Sequence, residues 1–243
     1  MQRLDKFLAD MSIGTRKQIK EYVKNGAVSV NGEIAKKSDM HIDETKDIVS
    51  FMGKELVFEK FHYYMLNKPA GYVSSNREGK SPTVIDILKE EKVKNLSTVG
   101  RLDKDTEGLL LITDDGQMIH HLLSPAHHVE KEYEVHIKKE LSPKDIEMLE
   151  KGLDIGDKKK DGSIDYTLPA KVKIAESDAE SAPVIYMSIT EGRFHQVKRM
   201  LEAVDNEVLY LKRIRMGDIK LDVNLELGKY RRLSDDEIKI LQK

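Results

Sequence analysis

Cysteine is absent from the 243-residue chain, and its absence excludes disulfides, thiolate metal sites and a cysteine nucleophile. Long apolar runs are also missing, because no stretch approaches the roughly 18 residues that a membrane-spanning helix needs. Residues 1–6 carry charge where a secretory signal requires an apolar core. We therefore expect a cytoplasmic protein without a membrane anchor.

The chain also lacks a large excess of either charge: 41 Lys and Arg stand against 43 Asp and Glu, for a net charge of −2. This balance argues against a protein that coats nucleic acid through bulk positive charge, although local basic faces remain compatible with it. Residues 1–40 hold 8 basic and 5 acidic side chains, a local charge of +3. These cations form either a solvated helix face or a face that contacts phosphates.

No Gly/Ser-rich or Pro-rich linker interrupts the chain, so the predicted join between two domains, residues 1–59 and 60–243, is short. In the first domain, apolar residues at helical spacing predict a short helix: Leu4, Phe7, Leu8 and Met11. Thr15 is placed to cap a second helix that runs to about Asn25. Asn31-Gly32 predicts a tight hairpin turn after the alternating Val28-Ser29-Val30.

The second domain alternates strand-like and helix-like segments. Strands are expected at residues 63–66, 109–113, 132–137, 184–187 and 208–211 and near Val172, and helices at 83–89, 117–123, 195–203 and from Ser142 onward. This pattern predicts an α+β protein whose mixed, mainly antiparallel sheet carries helices against it, preceded by a small α/β domain. A charged loop, residues 156–162, is expected to be solvated.

Asp103 lies in a mostly polar stretch that begins and ends with glycine, Gly100-Arg101-Leu102-Asp103-Lys104-Asp105-Thr106-Glu107-Gly108. An apolar run, residues 109–112, follows directly and predicts a buried strand after a polar loop. A loop aspartate commonly bonds its own backbone. A carboxylate on the shoulder of a rigid sheet is also a common place for chemistry.

The N-terminal segment resembles the S4-type RNA-binding domain. Three motifs carry the resemblance: Arg3-Leu4-Asp5-Lys6-Phe7-Leu8, Thr15-Arg16-Lys17 and Gly26-Ala27-Val28-Ser29-Val30-Asn31-Gly32. The resemblance implies that the cations of the second helix bind structured RNA: Arg16, Lys17, Lys20 and Lys24.

The second domain resembles the pseudouridine synthases, whose uridine-isomerising loop reads Gly-Arg-Leu-Asp followed by Thr and Gly-Leu-Leu. Those residues stand here as Gly100 to Asp103, Thr106 and Gly108 to Leu110. Three further motifs follow the family's order: Asn67-Lys68-Pro69-Ala70-Gly71, Lys131-Glu132-Tyr133 and Glu191-Gly192-Arg193-Phe194-His195-Gln196-Val197-Lys198-Arg199-Met200. Four ordered motifs make a chance match a poor explanation.

The resemblance implies a catalytic role for Asp103 and no cofactor or metal, since the isomerisation needs no redox change and no outside group. Attack on ribose C1′, attack on base C6 and removal of the 2′ proton stay open as routes. Tyr133 is expected to pack against the target base, with Arg101 and Arg199 binding the substrate. Lys198 stands where many of these synthases carry an arginine that pairs with the catalytic aspartate. A lysine offers Asp103 a point charge instead of the two-pronged hydrogen bonding of a guanidinium.

Two passages resemble the branch that acts on small-subunit ribosomal RNA, namely His195 to Met200 and Ser124 to Lys131. The expected substrate is therefore one uridine of 16S ribosomal RNA, or of an assembly intermediate, modified by a monomer. The alternatives are a synthase acting on 23S ribosomal RNA and an S4-type ribosome-assembly factor without turnover.

Two other site chemistries fit the residues less well. Asp103 and Asp105 have the spacing of the paired aspartates in aspartyl-phosphate phosphatases, but there an apolar strand precedes the first aspartate, and here it follows. Five of the eight histidines lie between His120 and His136. Their spacing matches no zinc pattern, so RNA contact or packing is the favoured interpretation.

Overall fold

The structure is a computed structural model that describes residues 1–11, 13–44, 46–56, 59–76, 79–175 and 182–242. The chain divides into two compact units, Met1–Phe61 and His62–Lys243. The sequence analysis placed this boundary at Glu59. Within the described ranges, no helix is long and apolar enough to cross a membrane.

The first unit packs two helices against short strands. Its elements are β1 (Gln2–Arg3), α1 (Leu4–Asp10), α2 (Arg16–Lys24), β2 (Val28–Val30), β3 (Glu33–Ile34), β4 (His41–Ile42), β5 (Val49–Phe51) and β6 (Lys54–Leu56). Strands pair in the order β3-β2-β5-β6, with β1 on β4. The apolar faces of both helices meet β2 and β5 in one core that includes Phe7, Ile19 and Val28.

Local sequence signals decide the details of this unit. Thr15 caps α2 as predicted: its hydroxyl accepts from the Gln18 amide at 3.4 Å, and the Gln18 side chain accepts from the Thr15 amide at 2.9 Å. Asn31 and Gly32 both have positive φ, 53° and 84°. Two consecutive left-handed residues make a two-residue turn whose twist suits a hairpin, so the predicted turn is confirmed.

The second unit is built on one large sheet. Its elements are β7 (Tyr63–Lys68), α3 (Val84–Ile87), β8 (Ser97–Thr98), β9 (Glu107–Thr113), α4 (Gly116–Leu123), β10 (Lys131–Ile137), α5 (Pro143–Lys151), β11 (Lys171–Ile174), β12 (Val184–Ile189), α6 (Gln196–Glu202), β13 (Val208–Met216), β14 (Ile219–Lys220), β15 (Tyr230–Arg232) and α7 (Asp235–Leu241). In the described residues, the strand order is β11-β12-β10-β13-β9-β7-β15, with β14 on β13 and β8 on β9.

Among these pairings only β9 with β13 is parallel in the part of the chain that the structure describes. The α+β class with a mixed, mainly antiparallel sheet is therefore confirmed. Apolar side chains alternate between the two faces of β9: Leu110 and Ile112 enter one core, Leu109 and Leu111 the other. Helix α6 packs in the first of these cores.

Gly108 lies where β9 and β13 approach each other closely. Its φ is 96°, and it stands opposite Arg213 in the parallel pairing. A Cβ at this position would clash with the backbone carbonyl oxygen of Arg213 and lie 2.9 Å from its amide nitrogen. Only glycine allows both the backbone conformation and the approach. The start of β9, and hence the loop before it, is thereby fixed against the centre of the sheet.

Candidate active site

The loop that carries Asp103 is fastened by a buried lysine. Lys68, at the end of β7, is fully buried, and its Nζ donates to the carbonyl oxygens of Thr106 at 2.8 Å, Pro69 at 3.1 Å and Lys104 at 3.3 Å. Burial lowers the pKa of Lys68 to about 8, against the opposing pull of nearby carboxylates, Asp105 foremost. This amine therefore ties two carbonyls of the loop to the strand beside it.

A serine holds the other side of Asp103. The buried Ser74 hydroxyl donates to the Leu102 carbonyl at 2.9 Å and accepts from the Leu102 amide at 3.1 Å. The Gly71 amide donates to the Lys104 carbonyl at 2.7 Å. Both neighbours of Asp103 thus have fixed backbones. The Asp103 side chain itself stays 28 % exposed, so it is held at the protein surface with an open approach.

Two side chains from the α6 segment, His195 and Lys198, lie against the Asp103 carboxylate. His195 Nε2 lies 3.5 Å from Oδ1, and Lys198 Nζ lies 3.8 Å from Oδ2. Lys198 has a closer partner, because its Nζ donates to both carboxylate oxygens of Asp105, at 2.7 and 2.8 Å. That hydrogen bond holds the pKa of Asp105 below its usual range. Lys198 therefore bridges two acids of the loop, and Asp103 is the looser partner.

His195 reaches the carboxylate through an unusual backbone. It precedes α6 with φ 49° and ψ 35°, a left-handed conformation that is uncommon for a residue with a Cβ. The sequence analysis placed His195 in the first turn of the helix, and the helix begins one residue later. Its ring stacks on that of Phe194 with the centroids 3.8 Å apart and an interplanar angle of 18°.

Tyr133 lies on β10 in the core that α6 also enters, and it is 7 % exposed. Its cross-strand neighbour Arg213 is 2 % exposed; the guanidinium donates from Nε to the Leu109 carbonyl at 2.8 Å. Arg213 Nη2 is buried without a hydrogen-bond partner among the described residues. Burial, together with the Arg213 charge, lowers the pKa of Lys131. A buried and a half-buried cation, Arg213 and Lys131, thus lie beside the tyrosine predicted to pack on a base.

Arg199 and Arg101 occupy contrasting positions. Arg199 Nη2 binds Asp157 Oδ1 at 2.6 Å and the Ile155 carbonyl, so this arginine is engaged within the protein. Asp157 belongs to the loop predicted to be solvated; residues 158–162 are exposed, and Asp157 is half-buried, with Arg193 as a second partner at 3.4 Å. Arg101 is exposed, and the structure records no hydrogen bond or ion pair between it and any described residue.

The predicted RNA-binding cations all lie exposed on α2: Arg16, Lys17, Lys20 and Lys24. The first three line one groove, of about 740 Å³, together with Arg3 and Lys6. Lys20 and Lys24 border a second groove of about 420 Å³. The N-terminal unit therefore presents clustered, solvated positive charge along one helix.

Among the described residues, no group of three or more His, Asp or Glu side chains is arranged to hold a metal ion. The paired histidines have other contacts. The His121 and His127 rings lie 4.1 Å apart, and His127 Nδ1 is 2.6 Å from the His121 carbonyl oxygen. His136 Nε2 is 3.0 Å from the Glu134 carboxylate.

Sequence reasoning missed three parts of this site. Lys68 was recognised inside a motif but received no role, although a lysine that ends an apolar strand is a usable signal. His195 gave no local signal, because its contact with Asp103 spans about half of the residues of the second unit. Arg213 interrupts the apolar alternation of β13, which is a signal of a partnered or functional buried charge.

Comparison with known proteins shows the class to which this fold and site belong. The family model described as RNA pseudouridylate synthase matches residues 62–203, and the S4 domain model matches residues 2–49. The chain therefore belongs to the RNA pseudouridylate synthase family and carries an S4 domain at its N-terminus. The family predicted from the four motifs is confirmed.

The relatives match over nearly their whole length. The chain is 45 % identical to an uncharacterized RNA pseudouridine synthase of Bacillus subtilis, covering 98 % of both chains. It is 41 % identical to the ribosomal small subunit pseudouridine synthase A of Vibrio parahaemolyticus, covering 97 % of both. A solved pseudouridylate synthase, 39 % identical, matches with a TM-score of 0.67 over 99 % of this chain and 100 % of the other.

Proposed function

We propose that this chain converts one uridine of small-subunit ribosomal RNA to pseudouridine, with Asp103 as the catalytic residue. The name of the Vibrio relative supports the choice of RNA. The first domain, assigned to residues 1–59, docks on the RNA, and residues 60–243 carry out the reaction as a monomer in the cytoplasm.

The observation that carries the proposal is the fixed loop with an open carboxylate. Lys68 and Ser74 hold the backbone on both sides of Asp103, while the Asp103 side chain remains accessible. A reacting group needs this combination, because its position must be set before the substrate arrives. The loop is held by its backbone, and the contacts of His195 and Lys198 with the carboxylate oxygens, at 3.5 and 3.8 Å, are long. The carboxylate oxygens therefore remain open to the nucleotide.

The reaction needs one such group. The bond from ribose C1′ to base N1 breaks, the base turns, C1′ joins C5, and the C5 hydrogen leaves as a proton while N1 gains one. An aspartate serves as the nucleophile toward C1′ or C6, or as the base toward the 2′ proton. Lys198 places positive charge beside Asp103 and keeps its place through Asp105, while the His195 ring lies on the other carboxylate oxygen.

Recognition of the uridine falls to Tyr133 and the nearby cations. A uridine must leave its stack to meet Asp103, and an aromatic face compensates for the lost stacking by about 1–3 kcal/mol per base. Arg101, which is exposed two residues before Asp103 in the chain, is placed for the RNA backbone. The engagement of Arg199 with Asp157 favours an indirect role, in which it orders the segment before α6.

The docking role of the first domain rests on charge. Exposed cations along a helix and its flanking grooves suit phosphates, which contribute most of the affinity in RNA binding. Arg16 and Lys17 also lie in the first turn of α2, where the helix N-terminus adds partial positive charge.

Mapping of pseudouridines in ribosomal RNA from cells with and without the protein tests this proposal. Loss of one site in 16S ribosomal RNA is expected. Loss of a site in 23S ribosomal RNA would assign the other subunit, and an unchanged map would favour an assembly factor without turnover. Release of tritium from RNA labelled at uridine C5 measures the same reaction in vitro, because C5 loses its hydrogen when it joins C1′.

A further inference from the structure

Phe194 is a large apolar side chain that the structure leaves 75 % exposed beside the candidate active site. Single exposed apolar residues are common on protein surfaces. Phe194 differs from these because its ring is held in place. One of its faces is covered by the His195 ring at a centroid distance of 3.8 Å, so the exposure belongs mainly to the opposite face and the edge.

The backbone beneath this ring is also fixed. Arg199 Nη1 donates to the Phe194 carbonyl at 3.1 Å, and the same guanidinium is anchored by Asp157 at 2.6 Å. His195 holds the left-handed conformation that turns the chain into α6. A non-glycine residue keeps such a conformation only where its surroundings stabilise it, and such residues cluster at functional sites.

The His195 ring of this stacked pair contacts the Asp103 carboxylate. His195 Nε2 lies 3.5 Å from Asp103 Oδ1, so Phe194, His195 and Asp103 follow one another in contact. A planar group added to the open face of Phe194 would extend a column whose ring spacing, 3.8 Å, is close to that of stacked nucleobases. It would lie on the side of Phe194 away from His195, whose Nε2 contacts the carboxylate that meets the uridine.

We propose that the open face of Phe194 stacks on a nucleobase that flanks the target uridine in the RNA. This inference rests on the proposed function. When a uridine leaves its stack, the adjacent base loses a partner, and a rigid aromatic ring near the exit point replaces it. A nucleobase is favoured over an apolar protein segment, because the RNA must come within reach of Asp103 whenever the enzyme turns over.

Three substitutions of Phe194 separate stacking from mere bulk: Phe194→Ala, Phe194→Leu and Phe194→Tyr. Leu209→Ala removes a half-exposed apolar side chain from β13 outside the site and serves as the control. The readout is kcat and KM for tritium release from a full-length 16S ribosomal RNA transcript labelled at uridine C5. We expect Ala and Leu to raise KM about tenfold, the loss of one base–aromatic stack, with kcat little changed.

Phe194→Tyr and Leu209→Ala are expected to match the wild type within about twofold, since tyrosine keeps the stacking face. A wild-type KM in Phe194→Leu would overturn the inference, because an apolar side chain without an aromatic face would then bind the RNA equally well. Such a result is what an apolar contact with a protein partner would give. Wild-type KM in Phe194→Ala would overturn it too. If Phe194→Ala fails to fold, the Leu and Tyr variants decide.

Failure of the two proposals is distinguishable. A wild-type enzyme that releases no tritium from 16S or 23S ribosomal RNA defeats the proposed function itself. A wild-type enzyme that turns over while all three Phe194 variants keep its KM defeats only the stacking role.

Discussion

Cationic side chains serve opposite purposes in the two units of this protein. In the second unit, Lys68 is fully buried and each of its hydrogen bonds goes to a backbone carbonyl of the chain itself. In the first unit, Lys17 and Lys20 are exposed along a groove. A charge that must set the position of a loop is removed from water and fixed. A charge that must attract phosphate keeps its hydration and its freedom.

The difference predicts how each cation responds to its surroundings. Buried charges are sensitive to pH and insensitive to salt, because the protein screens them from ions. Exposed charges behave in the opposite way. Substitutions of the buried and of the exposed cations therefore test this comparison, and substitutions of Asp103 and Asp105 test the loop that the buried amine holds in place.

Asp103→Asn is expected to lower kcat by at least about 10²- to 10⁴-fold, since an amide neither attacks carbon nor accepts the proton. RNA affinity, measured by filter binding, should stay within about twofold of the wild type. Asp161→Asn, in an exposed loop, is the control and should be fully active. Turnover above about a tenth of the wild-type rate in Asp103→Asn would remove Asp103 from the reaction.

Lys68→Met removes the amine but keeps most of the apolar stem. The variant leaves the buried Thr106 carbonyl without this donor, at a cost of about 1–3 kcal/mol, and leaves the Lys104 carbonyl with the Gly71 amide alone. We expect the Gly71 amide, which bonds the Lys104 carbonyl, to exchange hydrogen faster. Unchanged exchange in residues 100–106 and at Gly71 would show that the loop does not depend on Lys68.

The same lysine predicts a pH effect of known sign. Its pKa is about 8 in the folded protein, against 10.5 for the ordinary side chain. Between these values the unfolded chain binds more protons than the folded one, so the contribution of Lys68 to stability rises with pH, by roughly 3 kcal/mol at most. The wild type should therefore gain stability relative to Lys68→Met from pH 8 to 10.5 in urea unfolding. A flat difference would contradict the burial of a charged amine.

Lys17→Ala and Lys20→Ala should each weaken RNA binding and lower the slope of log affinity against log salt by about 0.7–0.9, the share of one phosphate contact. Lys54→Ala removes an exposed cation of β6 that lines neither groove, and it should change the slope little. Equal slopes for all three variants and the wild type would assign RNA docking to some other surface.

Asp105→Asn should have the smallest effect, a fall in kcat of less than about tenfold. Lys198 then loses its ionised partner and keeps the Asp103 carboxylate, 3.8 Å away. The reacting group itself stays in place, so most of the rate is retained. A loss as large as that of Asp103→Asn would make Asp105 an equal member of the site.

Much of this site could be predicted from short stretches of sequence. The strand after Asp103 is a continuous apolar run, which by itself predicts a buried strand. Helix caps at Thr15 and Ser142 follow from side-chain hydrogen bonds that span three residues. Such features depend only on residues that are close in the chain, so they can be predicted from the sequence alone.

Elements at the end of the chain show where such reasoning stops. The three-residue edge strand β15 and helix α7 were not predicted. Strand β15 exists because it pairs with β7, as Tyr230 does with Leu66, and not because of its own propensity. A short edge strand has too few residues to establish a periodicity, so its partner decides its structure.

The sequence by itself determined the family, the order of most elements in the second unit and the position of Asp103 in a loop ahead of a buried strand. The tertiary structure alone decided that Lys68 enters the loop, that His195 reaches Asp103 and that Lys198 binds Asp105 more closely than Asp103. The reason is the range of the interactions. Apolar patterns and helix caps depend on residues a few positions apart. Lys198 and Asp105 are separated by 93 residues, and they meet only when α6 packs on the sheet that contains β9.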